Sequence, residues 1–337
     1  MDKKAVSFLI LGGVIGALLA TGMFSYLSRS APGGGGATTV LKLAHALPEA
    51  APVHKGMAFM AQRVAELSGG TVEIQIFPSA QLGSETETIE QLQRGAIAMV
   101  KTSTAAMEGF VPEMAVFGVP YLFADEAHFW RVLQSDIGEE LLLQGLENNI
   151  RGLCYYDAGA RSFYTTRRMV RTPADLRGMK IRTMPSPTAM DMIDMMGGSA
   201  TPMPFGELYT GLQQGMVDGA ENNPPSVFDS RHWEVAKHYS LDEHSRIPDM
   251  LIMSDAIWQL LPTHVQAWIE QAVAESVDYQ REVWDAYVET SLNELAANGV
   301  DIYRPDKAPF QAAVAAMYED FEGTAVGDLI TRVEALR

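Results

Sequence analysis

The chain reads as a two-lobed α/β protein with a cleft between the lobes and a long helix laid across both. Three observations predict this. Short β-rich runs alternate with helical ones, and the alternation occurs twice, once from residue 40 and again after about residue 160. Between Thr263 and Asn298 there is neither glycine nor proline. The length of 337 residues is that of about two domains at roughly 150 residues each.

The first unit begins with Val40–His45, a short β-rich run with Leu41, Leu43 and His45 on one face. From His54 to Leu67, Met57, Met60, Ala61, Val64 and Leu67 recur at helical spacing, and Gly69-Gly70 stops the helix. Val72, Ile74 and Ile76 alternate with Glu73 and Gln75, the pattern of a strand, which ends at Pro78. Ser84-Glu85-Thr86-Glu87 has the form of a capping box opening a helix that Gly95 ends. The apolar run Ala96–Val100 predicts the next strand, leaving Lys101 and Ser103 as strand-end polar groups.

The second unit starts with Thr172-Pro173-Ala174-Asp175, which supplies an N-cap, a first-turn proline and an acid. A strand is expected over Met179–Thr183, then a helix capped by Ser186-Pro187 and running to Gly197-Gly198. A helix over Phe205–Gln214 and a strand over Val217–Glu221 complete it. Trp268, Ile269, Ala272, Val273, Val277, Trp284, Val288 and Leu292 then keep a helical rhythm. Unbroken, this segment is about 54 Å long, more than one lobe requires. Two helices joined at a kink are the alternative.

Composition bounds the function. Hydrophobic residues make up 47% and charged residues 20%, a globular composition. The formal charge of -17 opposes phosphate binding, and without a basic patch nucleic acid is not an expected partner. A single cysteine, Cys154, excludes a disulfide within the chain, and its apolar neighbours make it a buried thiol. Lys3 and Lys4 precede the uncharged stretch Ala5–Leu27, and Gly33–Gly36 follow. This is a signal peptide or an N-terminal membrane anchor with a glycine-rich linker, over residues 1–37. The rest of the chain is therefore expected outside the cytoplasmic membrane, in the periplasm. Lys3, Lys4 and Arg29 against Asp2 leave that part at -19.

Catalytic and cofactor motifs are missing: no H-E-x-x-H, no G-x-S-x-G and no phosphate-binding loop occurs, and no cofactor is expected. His232 and His238 form a loose pair without metal-ligand spacing. Binding groups are better represented. Arg182 stands at the carboxyl end of a strand, where open α/β sheets present ligand-binding groups, and a guanidinium holds a carboxylate bidentately. The alternative is a strand-end arginine paired with a nearby acid. Arg161, beside Gly159 at the expected crossover between lobes, carries the same two readings. Asn222 and Asn223 offer amides to a hydroxylated ligand, or else form a turn before two prolines. Phe205 and Tyr209, four apart, are core residues or a ligand platform.

KIRTMPSPTAMDMIDMMGGSATPMPFGELYTGLQQGMVDGAENNPPS, residues 180–226, closely resembles the solute receptors of tripartite ATP-independent periplasmic (TRAP) transporters, the DctP-like family. LGSETETIEQLQRGAIAM, FGVPYLF and AGARSFYT match in order, and the resemblance covers about residues 40–325. It implies the two-lobed periplasmic binding protein fold with a long helix spanning both lobes, and a non-enzymatic receptor. It further implies residues 38–158 and 248–287 as one lobe, and 159–247 and 288–337 as the other. The partners implied are a small organic acid and a membrane permease of a small DctQ-like and a large DctM-like subunit.

Carried over by motif, Arg182 of KIRTM resembles the arginine that clamps the ligand carboxylate, and Arg161 of GAR a second one facing it. Asn222 resembles the amide beside that carboxylate, with Asn223 as the competing choice, and Phe205 the aromatic wall. Glu85 of LGSE falls where relatives place an acid near the ligand's polar end, and Ser103 at a variable pocket position. His45 and His54 fall near the mouth of the first lobe, and His244 of DEHSR beside the hinge. HKGM, CYYDAGARSFYT, ENNPPS and SLDEHSRIPD resemble the branch whose ligands include glucuronate and galacturonate. Other hydroxy or keto acids would satisfy the same groups, and a sensing subunit would share the fold.

Overall fold

The structure, a computed structural model, describes residues 38–337. The expected signal or anchor segment lies outside the described residues. Among those described, no helix is long and apolar enough to cross a membrane.

Two mixed sheets form the two lobes. The first contains β1 (Thr39–Ala44), β2 (Val72–Phe77), β3 (Met99–Ser103), β4 (Ile150–Tyr156) and β10 (Asp249–Ser254), in the order β2-β1-β3-β10-β4. The second contains β5 (Ala160–Thr165), β6 (Lys180–Thr183), β7 (Ser199–Pro202), β8 (Gly219–Asn222), β9 (His238–Arg246) and β11 (Asp301–Tyr303), in the order β11-β9-β5-β8-β6-β7. The β1–β2, β1–β3, β6–β7 and β6–β8 pairs are parallel, as the alternating units require. β10 runs antiparallel to β3 and β4, and β5 antiparallel to β8 and β9. These antiparallel strands belong to the crossings between lobes: β4 continues into β5 through Asp157-Ala158-Gly159, and β9 into β10 through Ile247-Pro248.

Most sequence-predicted elements form, with shifts that have local causes. Ser84 accepts from the Glu87 N–H, and the Glu87 carboxylate accepts from the Ser84 N–H, so the capping box opens the helix Glu85–Gln93. The strand expected over Ala96–Val100 instead spans Met99–Ser103, placing Lys101 and Ser103 within it. Ala96–Ala98 are taken up by the helix exit, where the Ala96 N–H returns to the Gln91 carbonyl. The helix expected over Phe205–Gln214 splits into a 3-10 turn, Phe205–Glu207, and an α-helix, Leu208–Gln213.

Thr263–Ala297 is one continuous helix of 35 residues, so the kinked alternative does not form. Val265, Ile269, Ala272, Val273 and Trp284 pack in the core of the first lobe. Leu292 and Leu295 pack against the core of the second, so the helix ties both lobes together. The C-terminal helix Ala325–Glu334 differs from the expected division. Val326, Leu329, Ile330 and Val333 are buried in the first-lobe core with Phe117, Phe129 and Ile252. Its apolar stripe finds a partner there, whereas Phe310, Val314 and Met317 complete the second lobe.

Candidate functional site

The strand ends that face each other across the lobes form a cleft. It is lined by Glu85, Lys101, Ser103 and Asp249 from the first lobe and by Arg161, Arg182, Met184, Phe205, Asn222, Asn223 and Ser226 from the second. The lobes stand close, leaving about 40 Å³ of space between them.

Arg182 sits on β6, held between β7 and β8. Only 1% of it is exposed. Its Nε donates to the Met203 carbonyl at 2.8 Å, and the Phe205 ring lies 5.8 Å from the guanidinium carbon. Nη1 is buried with no hydrogen-bond partner among the described residues. Burial pulls its pKa below the usual arginine value. A desolvated cation with an unmet donor is a costly arrangement unless an anion completes it.

Arg161 is different, because its donors are already engaged. Nε and Nη2 grip the Glu221 carboxylate at 2.5 and 2.9 Å, Nη2 also donates to the Glu221 carbonyl, and Nη1 donates to Asn222 Oδ1 at 3.0 Å. Behind this pair His244 lies fully buried, with Nδ1 2.8 Å from Asp242 and Nε2 3.5 Å from Glu221. Burial opposes a charge on His244, but Asp242 and Glu221 outweigh it and lift its pKa to about 9. His244 thus supports the floor of the cleft without lining it.

The two asparagines separate by role. Asn222 Oδ1 accepts from Arg161 and from the Asn223 N–H, while its Nδ2 makes no hydrogen bond among the described residues. Asn223 spends both ends on structure: Oδ1 caps the helix Pro224–Asp229 through the Ser226 N–H, and Nδ2 donates to the Ala158 carbonyl.

On the first lobe, Glu85 Oε1 accepts from the Ser103 N–H at 3.1 Å. Lys101 Nζ lies 2.8 Å from Asp249 and 3.9 Å from Glu85. His45 and His54 stand one step back. The Leu47 N–H donates to His45 Nδ1 at 3.2 Å, which leaves the proton on Nε2, directed at His54 Nδ1 3.0 Å away. Burial pushes His45 down to about 3, so its ring is neutral at neutral pH. This pair fixes the Ala46-Leu47 turn, which does line the cleft.

Of the twelve residues singled out in the sequence, the structure brings eight to the cleft: Arg182, Arg161, Asn222, Asn223, Glu85, Phe205, Lys101 and Ser103. His45, His54 and His244 form a supporting layer. Tyr209 does not reach the site; its hydroxyl donates to Glu234 at the surface. Phe205 lies in the 3-10 turn and Tyr209 in the following helix, so the four-residue spacing does not put them on one face. Asp249 and Met184 line the cleft and were not expected. Asp249 lies inside the matched stretch SLDEHSRIPD, which was the available signal.

A family model for bacterial extracellular solute-binding proteins, family 7 (DctP), matches residues 43–324. The Salmonella typhimurium protein YiiZ is 39% identical over 283 residues, covering 83% of this chain and 86% of its own length. A TRAP periplasmic solute-binding protein of Xanthobacter autotrophicus Py2, solved with bound beta-D-galacturonate, matches with a TM-score of 0.85 at 39% identity. That match covers 88% of this chain and 100% of the other. One from Chromohalobacter salexigens, solved with bound D-glucuronate, gives a TM-score of 0.85 at 34% identity over the same two shares. The described chain is thus a member of the DctP family of bacterial extracellular solute-binding proteins.

Proposed function

We propose that this protein is the periplasmic receptor of a TRAP transporter and that its solute is a hexuronate, galacturonate or glucuronate. The observation that carries the reading is Arg182: a buried guanidinium in the cleft whose Nη1 has no partner among the described residues. A ligand carboxylate satisfies it, and Arg161 and the free amide of Asn222 stand on the same wall. The hydroxyls of the sugar need donors and acceptors once buried, and Glu85, Lys101, Ser103 and Asp249 supply both kinds opposite. Hexuronates bound to the two structural relatives support the choice of acid.

The receptor acts by binding alone. The solute enters between parted lobes, contacts from both lobes favour the closed form, and that form delivers the acid to a membrane permease. The solute leaves chemically unchanged. Residues 1–37 direct export or hold the receptor to the membrane, and the remainder works in the periplasm.

Calorimetry on the exported domain tests this directly. D-galacturonate and D-glucuronate are expected to bind, and D-galactose and D-glucose, which lack the carboxylate, are not. Equal binding of the neutral sugars would remove Arg182 from its role. Recovery of a chemically altered acid after incubation would overturn the non-enzymatic reading.

A further inference from the structure

The two walls of the cleft differ in what charge they leave unspent. On the second lobe, Arg182 keeps a buried donor without a partner among the described residues, while Arg161 is matched by Glu221. On the first lobe two carboxyl groups, Glu85 and Asp249, face one cation, Lys101. That ammonium is already taken by Asp249 at 2.8 Å, and both members of the pair are buried. His45, next in line behind Lys101, adds no positive charge because burial keeps it neutral. The cleft has an unspent cation at one end only.

We propose that the Glu85–Lys101–Asp249 wall restricts this receptor to monocarboxylates and rejects sugar acids that carry a second carboxylate at the opposite end. This rests on the reading of the solute as a sugar acid held by Arg182. A hexuronate fits with its charge toward the second lobe and its hydroxyls toward the first. The Glu85 carboxylate and the Lys101–Asp249 pair can exchange hydrogen bonds with hydroxyls. An aldarate of the same skeleton brings a second anion against that wall. Its carboxylate must then be desolvated beside Glu85, with the wall's single ammonium already engaged. Like charges brought together in a closed interface are strongly disfavoured, which is selection by repulsion rather than by added attraction.

D-galactonate and galactarate isolate the effect, because they are open chains differing only by a hydroxymethyl group against a carboxylate. Affinities are measured by calorimetry, or by displacement of bound D-galacturonate. In the wild type, galactarate is expected to bind at least roughly 100-fold more weakly than galactonate, the size of a like-charge clash of a few kcal/mol. Glu85→Gln, which keeps an oxygen for the Ser103 N–H, is expected to narrow that gap to about tenfold or less. Lys101→Met is expected to act in the opposite direction, weakening every acid. Melting curves establish that each variant is folded. If both open chains are too weak in the wild type, galactarate alone gaining measurable binding in Glu85→Gln supports the proposal. Galactarate within threefold of galactonate in the wild type overturns it, as does a gap, or a lack of galactarate binding, that Glu85→Gln leaves unchanged. Failure of galacturonate and glucuronate themselves to bind would instead sink the uronate reading.

Discussion

Arg161 and Glu221 form a buried two-point ion pair, with Nε and Nη2 of the arginine at 2.5 and 2.9 Å from the two carboxylate oxygens. The strand register explains it: on the paired strands β5 and β8, Phe163 stands opposite Glu221 and Ser162 opposite Asn222. Two arginines that look alike in the sequence therefore have different tasks. Arg161 is the arginine paired with an acid, which also keeps its guanidinium oriented at the cleft, and Arg182 is the one with capacity left over.

Replacing Arg161 is accordingly expected to damage the fold as well as the site. In Arg161→Ala the Glu221 carboxylate stays buried without its main partner, and breaking such a pair costs about 3–5 kcal/mol. Urea denaturation of the solute-free protein measures this. Arg161→Ala with wild-type stability would show that Glu221 is rescued by His244 or water.

Arg182 is expected to give the reverse pattern. Arg182→Met fills a similar volume and removes a buried cation that has one hydrogen bond and an unmatched Nη1. Stability without solute should stay within about 1 kcal/mol of wild type or rise, because an incompletely paired buried charge opposes folding. Hexuronate affinity should fall by about 2–5 kcal/mol. Calorimetry alongside a melting curve reads both quantities, and retained affinity would defeat the assignment.

His244 predicts a pH dependence of stability on the alkaline side. Its folded pKa of about 9 stands above the free imidazole value of 6.5, since Asp242 and Glu221 prevail over burial. A raised pKa means that the folded protein holds the proton more tightly than the unfolded chain. The resulting stabilisation is complete below about pH 6.5 and fades as the pH rises through about 9, with a magnitude on the order of 3 kcal/mol. His244→Gln should remove this slope between pH 6.5 and 9 while lowering stability at pH 6. A variant that keeps the wild-type slope would assign the titration to another group.

What the sequence disclosed follows the range of the interactions involved. The capping box at Ser84, the alternation of Val72, Ile74 and Ile76, and the unbroken helix from Thr263 are all set by neighbours within a few residues, and all form. The site was legible where a residue's place on its own strand decided its direction, as with Arg182 at the end of β6. It was not legible where the partner comes from far along the chain. Asp249 meets Lys101 only because β10 pairs with β3, with Asp249 opposite Ser103. The same holds for the C-terminal helix, whose apolar stripe has no local sign of which lobe it covers.

Gly159, between β4 and β5 at the crossing of the lobes, is a position where only glycine fits. Its φ is +60°, and an added Cβ would lie 2.9 Å from the Trp284 ring of the long helix. Gly159→Ala should cost about 1–3 kcal/mol, from the left-handed backbone and the overpacking against Trp284 together. Adding Trp284→Phe should recover part of that loss if the ring contact causes it. Equal losses in the single and double variants would leave the backbone as the whole effect.

Asn222 and Asn223, adjacent in the chain, should separate cleanly when each is replaced. Asn223 Oδ1 caps the helix Pro224–Asp229, and its Nδ2 ties that helix to Ala158 in the lobe crossing. Asn223→Ala is therefore expected to lose about 0.5–2 kcal/mol of stability through the cap. Asn222 Oδ1 holds Arg161, but its Nδ2 makes no hydrogen bond among the described residues and is the group available to a solute. Asn222→Asp preserves the oxygen that Arg161 needs and exchanges that donor for a negative charge. Hexuronate affinity should then fall by at least about 2 kcal/mol, because the solute's own carboxylate shares this wall. The solute-free fold of Asn222→Asp should lose stability as well, since a second buried carboxylate must share Arg161 with Glu221. Chemical denaturation and calorimetry on both variants distinguish the roles: unchanged uronate binding in Asn222→Asp would place the solute away from this amide.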